Sequence, residues 1–135
     1  MDLIALDKAL QAIALKRTEL SKVDYSSPKY DDLEEALHDA EDAFHVTYGD
    51  YLENALQAVH DEYSPDTDVL YPIAYIAKAF SVNEKNEFSA ANTEGVYVEV
   101  DKLPNVDTRL VILPNPTRIV MNIGKEKQQV VWTAK

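Results

Sequence analysis

The chain has 135 residues, of which 46% are apolar, and a formal net charge of −11. This length and composition allow one domain with its own core and exclude an intrinsically disordered chain. The absence of cysteine excludes disulfide staples and thiolate chemistry and is typical of a reducing compartment. No apolar run approaches the roughly 20 residues of a membrane span, and Asp2 and Asp7 stand where a signal peptide carries bases. We therefore expect a cytoplasmic protein without a membrane partner.

Residues 2–23 are predicted to form a first helix. Its main apolar stripe recurs in steps of three and four and consists of Leu3, Leu6, Leu10, Ile13, Ala14 and Leu20. Further apolar residues, including Ile4 and Leu15, lie on the other sides of the same helix. One neighbouring helix cannot cover all of them, so a second packing surface is expected, either the later sheet or a second copy of the protein.

Residues 27–63 are predicted to form one long amphipathic helix. Ser26 or Ser27 is the expected N-cap, with Pro28 just inside the first turn, and Ser64-Pro65 marks the end. About 35 residues at 1.5 Å each give a rod of roughly 50 Å, which is longer than the core of so small a domain requires. Either Gly49 breaks the helix or the helix projects.

One side of this helix is strongly acidic, and we call it the acidic face. Its members are Asp31, Asp32, Glu35, Asp39, Asp42, Asp50, Glu53 and Asp61. The segment from Asp24 to Asp68 holds fourteen acids and a single base, a net charge of −13, so this segment carries the whole imbalance. The pattern argues against nucleic-acid binding, because a nucleic-acid binder needs a basic stripe. It fits a solvated surface or a contact with a basic protein, in which Asp31, Glu35, Asp39, Asp42 and Asp50 would bind the partner.

Arg17 falls on the apolar stripe of the first helix, where a cation requires a nearby anion. Folding the two helices into an antiparallel hairpin brings Arg17 close to Leu37, and Glu34 and Glu41 flank that position. We predict a structural ion pair between Arg17 and Glu34 or Glu41.

Residues 68–80 are predicted to form a short third helix that covers the far end of the long one, with Asp68 as its cap and Pro72 in its first turn. The acids between Asp61 and Asp68 lack the spacing of a calcium loop and indicate a solvated turn. Residues 81–94 are polar and are expected to form an exposed loop, with a short strand at 87–90.

The last part of the chain changes to a period of two, which is typical of β-strands. Four strands are predicted at 96–100, 108–113, 118–123 and 129–133, and the short connections favour an antiparallel meander. The second and third strands are apolar on both sides. The face away from the helices, together with Trp132, is therefore either a partner surface or is buried by the chain itself.

Three histidines lie on the long helix, and two of them have the spacing of metal ligands. His38, Glu41 and His45 fall within about 60° of arc at 100° per residue, so their side chains could converge on one ion. No glycine-rich loop, nucleophile motif or cofactor motif accompanies them.

These patterns predict an α+β fold in one domain, residues 1–135, with a helical part (1–80), a connecting loop (81–94) and an antiparallel sheet (95–135). The expected function is a non-enzymatic protein-interaction module that self-associates or binds a basic protein. The alternatives are a metal-binding enzyme or sensor at His38, Glu41 and His45, and an acidic inhibitor or immunity-type protein. No cofactor is expected.

Overall fold

The computed structural model describes all residues from Met1 to Lys135. Two helices come first, α1 (Leu3–Ser21) and α2 (Tyr30–Tyr63), followed by a single 3-10 turn, Pro72–Tyr75. A short hairpin of β1 (Ser81–Val82) and β2 (Phe88–Ser89) precedes a four-stranded sheet. The strands of that sheet are β3 (Val96–Tyr97), β4 (Thr108–Leu113), β5 (Arg118–Ile123) and β6 (Lys127–Thr133). The fold is α+β, as the sequence predicts.

The two helices begin and end for different local reasons. Asp2 caps α1, because its Oδ1 accepts the backbone N–H of Ala5 at 3.0 Å. The predicted cap of α2 is wrong: the helix begins at Tyr30, and Ser27 Oγ accepts the N–H of Lys29 at 3.2 Å within the preceding turn. The end at Tyr63 agrees with the prediction. α2 runs through Gly49 without a break, so its 34 residues span about 50 Å.

The segment after α2 is not the predicted third helix. Only Pro72–Tyr75 forms a 3-10 turn, and the rest of 68–80 is extended or irregular. Its backbone groups are satisfied by side chains from distant elements. Arg17 donates to the carbonyls of this segment, the Glu94 carboxylate accepts from the N–H groups of Lys78 and Ala79, and Thr18 Oγ1 accepts from the N–H of Phe80. Because these tertiary bonds replace the helical ladder, local helical periodicity does not decide the conformation.

The four-stranded sheet is antiparallel in the order β3-β4-β5-β6, with β4 paired to β5 from Thr108–Ile123 to Leu113–Arg118. The predicted meander is therefore present, although β3 is only two residues long. The register places Leu110, Ile112, Ile119, Met121 and Trp132 on one side of the sheet. Trp132 lies against Tyr51 of α2, with ring centroids 5.9 Å apart, so this side faces the helices.

Residues 88–94 lie against the opposite side of the sheet. Three polar side chains on that side, two from β5 and one from β6, donate to carbonyls of this segment. Arg118 bonds Phe88 O at 3.1 Å, Asn122 bonds Glu94 O at 3.1 Å, and Gln128 bonds Ala90 O at 3.2 Å. Residues 88–94 therefore form a second layer on this side, with Phe88 buried in the core, whereas most of residues 81–94 are exposed, as their polarity predicts. The sequence left open whether the second side is a partner surface or is buried by the chain itself. The structure shows the latter, because both sides of β4 and β5 are buried.

The helices and the sheet share one core of 24 buried apolar residues. Asp7 fixes α1 to the turn between β4 and β5, since its Oδ1 accepts from Asn115 N and Thr117 Oγ1, both at 2.8 Å. Neither helix combines the length and the apolar character that crossing a bilayer would require.

Two glycines of the sheet region differ in how closely their neighbours approach them. A Cβ on Gly95, whose φ is +106°, would lie 2.5 Å from Leu110 O, whereas a Cβ on Gly124 (φ +64°) would meet nothing nearer than Val106 Cγ1 at 3.9 Å. We expect Gly95→Ala to lower the free energy of unfolding by at least about 2 kcal/mol and Gly124→Ala by about 1 kcal/mol. Urea denaturation measures both, and equal losses would contradict the close approach at Gly95.

Candidate functional site: the acidic face of α2

The acidic face lies along the solvent side of α2. All eight of its carboxylates are exposed, while the opposite side of the helix buries Leu37, Phe44, Leu52 and Val59 in the core. The face runs from Asp31 to Asp61, which corresponds to about 45 Å at 1.5 Å per residue. The predicted partner-binding acids Asp31, Glu35, Asp39, Asp42 and Asp50 therefore share one accessible surface.

The carboxylates of this face have almost no partners in the protein. The two salt bridges of the chain, Arg17–Glu41 and Arg109–Asp107, lie elsewhere. Within the face, only Asp61 accepts a side-chain hydrogen bond, from Gln57 at 2.9 Å. Like charges four residues apart each cost an isolated helix about 0.2–0.5 kcal/mol, so burial of the opposite side must hold α2 together. The charge of the face remains available to another molecule.

A single aliphatic side chain, Val46, stands in the middle of the acidic face and is 85% exposed. At 100° per residue, Asp42 and Asp50 flank it at about 40° on either side, and Asp39 and Glu53 lie within about 20°. Sequence reasoning missed this residue because it belongs to the polar side of the helix. Its signal was present in the sequence, as a valine placed four residues from an aspartate in both directions.

Arg17 lies at the junction of α1, α2 and the segment after α2. Its Nη2 is 2.6 Å from Glu41 Oε2 and 3.1 Å from Ile73 O, while its Nη1 is 2.6 Å from Ile76 O and 3.4 Å from Ala77 O. Of the two acids that the sequence offered as partners, the structure therefore pairs Glu41 with Arg17 and leaves Glu34 outside the pair. Both members are mostly buried, with side-chain exposures of 16% and 11%.

We expect Arg17→Met to lower the free energy of unfolding by about 3–5 kcal/mol, because it leaves the Glu41 carboxylate and three carbonyls without their donor. The double variant Arg17→Met/Glu41→Met should lose at least about 1 kcal/mol less stability than the sum of the losses in the two single variants. The exposed neighbour Lys16→Met is the control and should change stability by less than about 0.5 kcal/mol. Strictly additive effects in chemical denaturation would show that the two side chains do not interact.

The three residues proposed as metal ligands do different things in the fold. His38 and Glu41 line an open cleft of about 490 Å³ together with Arg17, Tyr30 and Lys78. His45 does not line this cleft. Its ring packs edge-on against Tyr71 at a centroid distance of 4.9 Å, and Gly49, one turn later, leaves the space that its Nδ1 occupies. The structure contains no group of three or more His, Asp or Glu side chains arranged to hold a metal ion.

The third histidine, His60, is buried in a complete hydrogen-bond network. Its Nδ1 lies 2.8 Å from Thr67 O and therefore donates to that carbonyl, which leaves Nε2 to accept from the Tyr75 hydroxyl at 2.9 Å. The same hydroxyl accepts the N–H of Leu70 at 3.0 Å. Burial raises the pKa of Tyr75 above its ordinary value of 10.0, while the Leu70 bond acts in the opposite direction. The network holds the end of α2 against the following segment.

The raised pKa of Tyr75 makes stability depend on pH in the alkaline range. As the pH rises above about 10, Tyr75 loses its phenol proton in the unfolded chain before it does so in the folded protein. The free energy of unfolding therefore falls as the pH rises. We expect the free energy of unfolding of the wild type to decline more steeply above about pH 10 than that of Tyr75→Phe. At neutral pH the variant should be less stable by about 1–3 kcal/mol, because His60 Nε2 loses its donor. Parallel pH slopes for the two proteins in urea denaturation would contradict this assignment.

Trp132, which the sequence also offers as a contact residue, is half-buried beside Tyr51 on the helix side of β6. The structure thus places it away from the acidic side of α2, within the layer between helix and sheet. The exposed apolar residue of β6 is Val130, at 54%.

Comparison with protein-family models, curated proteins and solved structures finds no match to this chain. Its function is therefore inferred from the chemistry of its surface alone.

Proposed function

We propose that the protein is a non-enzymatic interaction module that binds a basic protein through the acidic face of α2. The observation that carries the proposal is the row of exposed carboxylates that form no salt bridge within the chain and surround the exposed Val46. Such an arrangement has the two components of a protein interface, an apolar centre and a polar rim.

The charge of the face selects the partner. A net charge of −13 within residues 24–68 attracts a surface of opposite sign and repels nucleic acid and other acidic proteins. Screening limits the attraction to about 8 Å in physiological salt, so the charges act mainly in steering and in the final approach. Association should therefore become faster as the ionic strength falls.

The length of the face indicates the shape of the partner. Carboxylates four residues apart along α2 are separated by about 6 Å, and the face extends for about 45 Å. A short basic peptide could cover only part of it. An extended basic helix or a basic groove of similar length would neutralise most of its charges.

Val46 adds specificity to this electrostatic attraction. Removal of an exposed valine from water at the centre of an interface contributes up to about 1.5–3 kcal/mol, whereas rim charges contribute less and are screened by salt. A partner with an apolar spot among its bases would therefore bind better than a uniformly basic surface.

The test compares two charge reversals that change the net charge equally. The variant Asp39→Lys/Asp42→Lys/Asp50→Lys removes the centre of the acidic face, and Glu84→Lys/Asp101→Lys/Glu126→Lys makes the same change at exposed positions elsewhere. Basic proteins captured from a lysate by the wild type would then be purified and titrated with the wild type and with both triple variants. We expect the first variant to weaken the binding of such a partner at least about tenfold in titration calorimetry.

A second comparison separates specific contact from general attraction. Val46→Asp makes the face more acidic, so pure electrostatics predicts tighter binding, whereas an apolar contact predicts weaker binding. We expect weaker binding, and no change for the matched variant Val130→Asp on β6. Equal losses in both triple variants, or no basic protein retained by the wild type, would disprove the proposal.

A further inference from the structure

The outer side of α1 is an unpartnered helix face. Ile4 is 71% exposed and Leu15 is 53% exposed, although both belong to a helix whose other side is fully buried. The sheet and α2 pack against the side that carries Leu6, Leu10 and Ile13, so no element of the chain covers the outer side. The apolar surplus that the sequence places on this helix remains in contact with solvent.

The exposed residues form a regular stripe. Ile4, Lys8, Ala12, Leu15 and Glu19 recur in steps of three and four and fall within about 80° of arc, opposite the buried side. This is the pattern of a helix that packs against another helix. Its composition is mixed, with apolar residues, one base and one acid.

We propose that a second copy of this chain docks on this stripe, with the two α1 helices antiparallel about a two-fold axis between residues 13 and 14. In this register Ala12 of each copy faces Leu15 of the other, and Lys8 of each copy faces Glu19 of the other. Ala12 and Leu15 thus pack together and each base meets an acid, twice by symmetry, whereas Ile4 faces position 23, past the end of the partner's α1.

Charge explains why the second copy uses this surface. Residues 1–23 contain four bases and three acids, a net charge of +1, whereas the segment that includes α2 carries −13. Two copies that met through α2 would repel each other strongly. Contact through the outer side of α1 keeps the two acidic faces on the far sides of the dimer, because α2 packs against the inner side of α1.

The edge strand β6, which exposes Val130, is less suited to self-association. β6 is an edge strand, but a register shift opposite Ile119 and Val120 interrupts its pairing, and Lys127 begins it. Bulges and edge lysines are features that prevent edge-to-edge pairing of sheets. We therefore assign the contact between copies to α1.

Sedimentation equilibrium over a concentration series tests the proposal. The wild type is expected to dimerise, and Leu15→Glu is expected to raise the dimer dissociation constant at least about tenfold. Val130→Glu places the same charge on the comparably exposed edge strand and should leave the constant unchanged. Both positions are exposed, and thermal unfolding of each variant verifies that it folds.

Charge exchange tests the register. Lys8→Glu alone sets two carboxylates against each other at each end of the contact, and Glu19→Lys alone sets two lysines together, so each should weaken the dimer. The double variant Lys8→Glu/Glu19→Lys restores opposite charges and should recover most of the wild-type affinity.

Three results would overturn the proposal: a wild type that stays monomeric up to about 1 mM, a dimer that Val130→Glu weakens as much as Leu15→Glu does, or a double variant no better than the single ones. None of these variants changes the acidic face, so the outcome is independent of binding to a basic partner.

Discussion

The fold depends on one buried cation. Arg17 reaches from α1 to the Glu41 carboxylate on α2 and to three carbonyls of the segment after α2. A semi-buried guanidinium is costly unless its donors are satisfied, and here acceptors from two other parts of the chain satisfy them. The same bonds hold residues 73–77 in a path that is not α-helical, and Ile76 of this segment bridges to Ile112 of β4. One side chain thus joins the hairpin, the connection and the sheet.

Several buried or half-buried polar side chains join distant parts of the fold. Glu41 is neutralised by Arg17, His60 is bonded on both ring nitrogens, and Asp7 accepts from the turn between β4 and β5. Arg118, Asn122 and Gln128 bind the backbone of the segment that covers the second side of the sheet. On the outer surface, α2 carries eight exposed carboxylates in one row, and α1 exposes Ile4 and Leu15.

Those two surfaces differ in the kind of partner they suit. The outer side of α2 carries charge of one sign around a single valine, which suits an unlike, basic partner. The outer side of α1 carries apolar residues with one base and one acid, which suits a copy of itself. Because α1 and α2 pack on each other's inner sides, the two surfaces point in different directions, and a dimer through α1 would present two acidic faces to basic partners.

The sequence by itself determined the long helix, the acidic face and the strands from 108 to 123, because strong periodicity reports which side of an element meets the core. It limited the partner of Arg17 to Glu34 or Glu41, because the position of the turn between two antiparallel helices decides which residues lie opposite each other. Only the tertiary structure decided between them, and only it showed that residues 68–80 contain no α-helix and that residues 88–94 lie against the second side of the sheet. In both segments the backbone bonds to side chains far away in the sequence, as in Phe80 to Thr18, 62 residues apart, and Phe88 to Arg118, 30 residues apart. The pattern of apolar residues within a segment does not predict such long-range bonds.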